Sequence, residues 1–399
     1  MTGVSPALLA NLTAWRPDGD GQDGDGPHAA MLDSIVGDAR VIAWAEGLHH
    51  KHEFLATRND AVRILVERHG ITAIAAETSF TESIVADDYV LGHGAEEPDA
   101  RVVAGAWSWG GALHENRQLL MWLRRHNDAG PARPVRFYGL DMCGARRGRF
   151  PHARRGIDAA LEQASTLEAS TAAALAARFA PLLNRFATDT YGDLTAAERD
   201  ALSGMIAELN ALFDRHARPD NGLALRRAQH QAVLAAHLDL ALRGGGRSNQ
   251  LQRRDAAQAE SLRWALEQEG PDGRILVFEQ VEHLDRTEPY SLGWRLDRQL
   301  RHQVRYIGAA WGSDPTGRPV EVEVATDINR ALDEAIAVLP DEGNGGRYLV
   351  DLRPLRDQLP LRDEHPPGSQ PPSSGIERYA TAFDATVFVR TLTTTEPIG

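Results

Sequence analysis

Val41-Ile42-Ala43-Trp44-Ala45-Glu46-Gly47-Leu48-His49-His50-Lys51-His52-Glu53-Phe54 is the stretch that decides the fold. Its first five residues are a continuous apolar run of the length of a buried strand. The segment 54–69 that follows repeats apolar residues every three or four positions, as an amphipathic helix does. A strand feeding a helix puts the intervening side chains at the strand's carboxyl end, the edge at which open α/β sheets bind ligands. That edge here carries three His, two Glu and Lys51, the only lysine in a chain whose long basic side chains are otherwise arginine. An amine retained among arginines can lower its pKa on burial or form an imine, which a guanidinium cannot. A solvated lysine is the ordinary alternative.

Outward from this stretch, strand-like runs recur at 41–45, 72–76, 135–140, 275–278, 304–310, 348–352 and 386–389, with helical patterns between most of them. Such alternation predicts an α/β fold, three-layer α/β/α, with a mainly parallel sheet. Between about 155 and 269 β-branched runs vanish and Ala, Leu, Glu and Arg dominate, as in Ala172-Ala173-Ala174-Leu175-Ala176-Ala177-Arg178-Phe179. That composition predicts an inserted helical bundle. The expected organisation is therefore a first part of the α/β core over 1–150, a helical insertion over 151–270 and the second part of the core over 271–399.

The 399 residues, 42% of them hydrophobic, suffice for a sizeable core, and the formal charge of −13 disfavours nucleic acid or an anionic membrane surface as partner. No apolar run is long enough to span a bilayer, and the first thirty residues lack the basic and apolar regions of a signal peptide. With Cys143 the sole cysteine, no intramolecular disulfide can form. These features predict a cytoplasmic protein, with Cys143 a packed residue rather than a nucleophile. The acidic stretch 18–27 resembles a calcium loop but has Asp23 where the loop needs Gly and Ala29 where it needs Glu. The proline-rich stretch 365–375 reads as a loop before the last strand. No glycine loop carries the Lys-Ser/Thr of a phosphate cradle.

Arg58 interrupts the apolar stripe of Phe54, Ala61, Val62 and Leu65, so the 54–69 helix drives a guanidinium toward the sheet. Burial demands partners, and Glu46 and Glu77, each ending a strand-like run, are the expected ones. If consecutive strands neighbour one another, both carboxylates reach the same edge. His283, beyond the run 275–278, and Asp141, after 137–140, repeat the strand-end pattern, although Asp141 equally suits a cap. A His among carboxylates and an Arg fits general acid–base chemistry. No Gly-x-Ser-x-Gly elbow supplies a serine, so the nucleophile is water or a substrate hydroxyl. The alternative of a divalent metal on His49, His50 or His52 with Glu77 and His283 lacks the His-Glu-x-x-His order. The reading adopted has neither metal nor cofactor.

Glu46-Gly47-Leu48-His49, then Glu53-Phe54, Arg58 and the stretch from His69 to Glu77 resemble the signature of the erythromycin esterase family. Trp107-Ser108-Trp109, Trp122-Leu123-Arg124, Phe137-Tyr138-Gly139-Leu140-Asp141, Arg254-Asp255, His283, Asp351-Leu352-Arg353 and Phe383-Asp384-Ala385 extend the resemblance over nearly the whole chain. It implies a three-layer α/β core with added helices and metal-independent hydrolysis of a macrolide lactone by activated water. Position by position it makes His49 the general base, oriented by Glu46 and Glu77, with Arg58 and His283 binding or polarising the substrate. Around them, His50, Lys51, Trp107 and Gln280 are the expected substrate-binding residues. Two departures stand out: Gln280 and Val281 replace a His and an Asn of the family's third strand end, and His50-Lys51-His52 replaces a small stretch beginning with Gly. The expected function is hydrolysis of an ester or lactone of a small secondary metabolite, polyketide-like. A cyclase, dehydratase or epimerase using the same His, or a non-catalytic binding protein, remains open, as does the oligomeric state.

Overall fold

A computed structural model describes residues 11–15, 27–107, 112–142, 153–318, 328–330, 332, 346–357 and 375–398. Cys143, the acidic stretch 18–26, Ser108 and Trp109, and most of the stretch 365–375 lie outside the described residues. The strands are β1 (Leu12–Ala14), β2 (Val41–Glu46), β3 (Ala73–Ser79), β4 (Arg136–Asp141), β5 (Ile275–Gln280), β6 (Val304–Ser313), β7 (Arg347–Asp351) and β8 (Ala385–Thr391). The seven predicted apolar runs each coincide with one of them, and β1 is the strand too short to leave a pattern. The chain is an α/β protein that separates into two compact units, one of 1–74, 113–135 and 272–399, the other of 75–112 and 136–271.

In the first unit the strand order is β1-β7-β8-β6-β2-β5. β2 lies parallel to both β5 and β6, and β6 parallel to β8, whereas β7 is antiparallel to β8 and β1 to β7. Parallel pairing thus governs the centre, and the antiparallel strands cap one side. Both edges of β2 are taken by strands that come more than two hundred residues later. The expected pairing of the first two predicted strands therefore does not occur, because sequence adjacency is only a tendency and long insertions let distant strands return to the middle. All six residues of β2 are buried, as a run apolar on both faces requires. The helix His52–His69 buries Phe54, Arg58, Ala61, Val62 and Leu65, the stripe read from the sequence, and ends on Gly70, whose φ of 62° suits a residue without Cβ.

In the second unit β3 and β4 are neighbours, and helices follow at Arg154–Leu167, Ala169–Phe179, Ala196–Arg215, Leu223–Gly244 and Arg247–Glu269. Thr195 and Glu198 close a reciprocal capping box on the third of these. Gly139 is forced by close packing: a Cβ there would lie 2.5 Å from the Ser79 carbonyl oxygen. No helix among the described residues is long and apolar enough to cross a membrane.

Candidate functional site

β2 and β5 run in parallel register so that Glu46 stands beside Gln280 and Ala45 beside Glu279. The chain turns beyond Glu46 through Gly47, where a Cβ would lie 2.6 Å from the Trp311 ring and 2.7 Å from Phe54. Only glycine fits under these edge-to-face rings. The turn brings His49 back over the strand end, and its Nδ1 lies 3.0 Å from Glu46 Oε2, with the carboxylate 1% exposed and the imidazole 18%. A carboxylate accepting from Nδ1–H fixes the tautomer that leaves Nε2 as the basic nitrogen. One nitrogen held by a buried carboxylate is what orients a histidine that acts as a general base.

Arg58 is buried as expected, 3% exposed. Its nearest polar partners, however, are amides. Nε and Nη2 donate to Asn59 Oδ1 at 3.1 and 2.9 Å, Nη2 also donates to Asn116 Oδ1 at 2.9 Å, and the guanidinium lies 4.7 Å from the Phe278 ring centre. Burial pulls its pKa down to about 10, offset by the charges of Glu46 and Glu115, so it stays cationic at neutral pH. Arg58 and Glu46 therefore interact through their charges.

The loop after His49 is held by a segment from far along the chain. His52 N–H donates to Thr393 O and Thr395 N–H to His50 O, both at 3.0 Å. Lys51 bridges Thr394 in antiparallel fashion, with Nζ 3.4 Å from its hydroxyl, and Glu53 accepts from Thr393 N–H at 2.8 Å. His50 adopts φ 61°, a left-handed conformation that favours glycine. Partial desolvation, with the charges of His49 and Lys51, lowers its pKa, which favours neutral imidazole. Glu115, on the helix His114–Asp128, receives His52 Nδ1 at 2.6 Å and the Thr395 hydroxyl. Burial works to raise this carboxyl, but the hydrogen bonds from Thr395 and His52 outweigh it and hold the group below its usual range.

At the end of β5, Glu279 is buried, Gln280 half-buried and Val281 buried, and His283 is buried in the short helix Val281–Leu284. Glu279 and His283 are residue types able to ligate a metal as well as to carry protons. The second unit has its own strand-end acids. Glu77, expected to meet Arg58, instead pairs with Arg254 Nη2 at 2.6 Å, and Arg254 Nε reaches Asp141 Oδ2 at 2.9 Å. Asp141 also accepts from Met142 N–H at 3.1 Å. Trp107 is fully buried in this unit.

Asn116, Glu115, Thr395 and the role of Arg254 were not found from sequence. Glu115 and Asn116 carried a usable signal: they share a buried stripe with Leu119, Leu120 and Leu123, polar residues at the helical spacing that exposed Arg58.

Comparison with known proteins places these motifs. The sequence model described as erythromycin esterase matches residues 66–392. "Erythromycin esterase type II" of Escherichia coli is 24% identical over 336 residues, 78% of each chain. Among solved structures, a succinoglycan biosynthesis protein superposes with TM-score 0.74 at 14% identity, covering 98% of this chain and 97% of that one. A Bacillus cereus protein gives 0.72 at 15% identity, with 98% of each chain covered. A histidine-to-asparagine variant of the erythromycin esterase EreC in its open conformation gives 0.68 at 16% identity, with 96% and 98% covered. These structural likenesses show a shared fold.

Proposed function

The chain belongs to the erythromycin esterase family, and from that premise we propose that it is an esterase-like hydrolase acting on an ester or lactone of a small secondary metabolite, with His49 as general base. The observation that carries the reading is the His49 Nδ1 to Glu46 Oε2 contact of 3.0 Å at the end of a buried parallel strand.

The steps assigned here use residues of the first unit. His49 Nε2 takes a proton from water as the water oxygen bonds to the ester carbonyl carbon, and Glu46 stabilises the imidazolium that forms. His283 polarises the carbonyl oxygen as negative charge gathers on it. When the tetrahedral intermediate collapses, the carbon–oxygen bond to the alcohol breaks, its electron pair goes to the alcohol oxygen, which takes a proton from an acid of the site, and His49 gives the water's proton to solvent. Gln280, beside Glu46 in register, and His50 and Lys51 on the loop supply polar contacts that orient the substrate. No cofactor or metal enters these steps.

Gln280 and Val281 in place of His and Asn lead us to expect poor hydrolysis of erythromycin-like lactones. Turnover in ¹⁸O-labelled water tests the reaction class. One labelled oxygen in a new carboxylate is the expected result; an unlabelled isomer or a dehydrated product would overturn hydrolysis.

A further inference from the structure

We propose that His52 and Glu115 form a second acid–base pair, in which His52 gives its proton to the departing alcohol oxygen. This rests on the hydrolase reading above and adds to it a residue that the family resemblance does not supply.

The pair repeats the construction of His49 and Glu46. In each, a carboxylate buried to within a few per cent receives Nδ1 of a histidine, at 3.0 Å in one and 2.6 Å in the other, and the imidazole is the more exposed partner. The charges of both carboxylates act on Arg58, where they offset the effect of its burial. Two histidines three residues apart are thus backed by two carboxylates that share one cation.

An anchoring role alone does not account for the imidazole. The Thr393–Thr395 segment is already fixed by the backbone bonds to His50 and His52 and by Glu53, and His52 is half exposed. Among the described residues, Glu115 from the helix His114–Asp128 receives His52 Nδ1, Lys51 and Glu53 flank it in the chain, and the Arg58 charge acts on the carboxylate. Threonine hydroxyls are what the strap itself contributes.

The chemistry balances. As the carbon–oxygen bond breaks, the electron pair goes to the alcohol oxygen, and the Nε2–H proton of His52 passes to it. Neutral His52 keeps Nδ1–H on Glu115 and is reprotonated from solvent through its exposed edge. His49 returns the water's proton to solvent separately. A protonated leaving group matters for an alkoxide and hardly for p-nitrophenolate, so the pair is read by leaving-group dependence.

The test compares ethyl butyrate with p-nitrophenyl butyrate for the wild-type enzyme and for His52→Asn, whose amide can still donate to Glu115 from the Nδ1 position. The expected result is a fall in kcat on the ethyl ester of about 10²-fold, with a much smaller fall on the p-nitrophenyl ester. Equal losses on both esters, or no loss on either, would overturn the proposal. A wild-type enzyme inactive on both esters would count against the hydrolase reading. In that event ¹H–¹⁵N spectra of histidine-labelled protein decide the pair separately: a downfield Nδ1–H on His52 with a titrating Nε2 supports it, and an Nε2 that does not titrate overturns it.

Discussion

Both units hold buried acids, but the partners differ. In the first, Glu46 and Glu115 face histidines that are partly exposed; in the second, Glu77 and Asp141 share the buried guanidinium of Arg254. The second unit's own histidine of note, His230, is fully buried, stacked on Trp264 with ring centres 5.3 Å apart and edge-on to Phe80, with Nε2 3.0 Å from Ser261 Oγ. A carboxylate facing imidazole can cycle a proton at neutral pH, whereas one facing guanidinium stays an ion pair. On the reading proposed above, the first unit exchanges protons and the second holds charges still.

The largest effect that could break this contrast is on rate. His49→Ala is expected to lower turnover on the order of 10²–10⁴-fold in a protein that still folds, as circular dichroism would check. A folded variant with near-normal turnover would remove the distinction.

Next comes the pH dependence of stability through His230. Burial lowers its pKa from 6.5 to about 3. The unfolded chain therefore takes up a proton below pH 6.5 that the folded chain refuses. The associated stability is complete above pH 6.5 and is lost as pH falls toward 3, by roughly 5 kcal/mol at the limit. Urea unfolding at pH 7 and pH 4 should show this fall, and His230→Phe should flatten it.

The third effect is that of Arg254→Ala, which removes the cation shared by two buried carboxylates. A loss of about 3–5 kcal/mol is expected, measured by denaturant unfolding. A change in turnover at unchanged stability would instead move Arg254 into the chemistry.

Much of the first unit was legible because periodicity reports burial. The apolar run of β2, the polar turn and the stripe through Arg58 all follow from spacing, and the structure keeps each. What Arg58 would meet was not legible. A cation buried by its helix attracts notice, but Asn116 satisfies it with an amide oxygen that carries no charge to betray the pairing. Strand order was likewise hidden, because nothing in the run 275–280 says that it returns to lie beside 41–46. Arg254 sits 177 residues from Glu77 on a helix rich in arginine, and although Arg254-Asp255 belongs to the motifs of the resemblance, nothing in the sequence says which acids it meets.

The clasp between residues 49–53 and 393–395 joins positions about 340 apart in sequence. Local turns and helices can form within microseconds, but bringing such distant segments together carries the entropy of closing a very long loop, which neighbouring strands must already have offset. The histidine loop is thus expected to close late in folding. A chain trapped short of its final closure can possess β2, the Arg58 helix and most of its core while its reactive imidazoles are not yet set. Recovery of activity during refolding would then lag behind recovery of secondary structure.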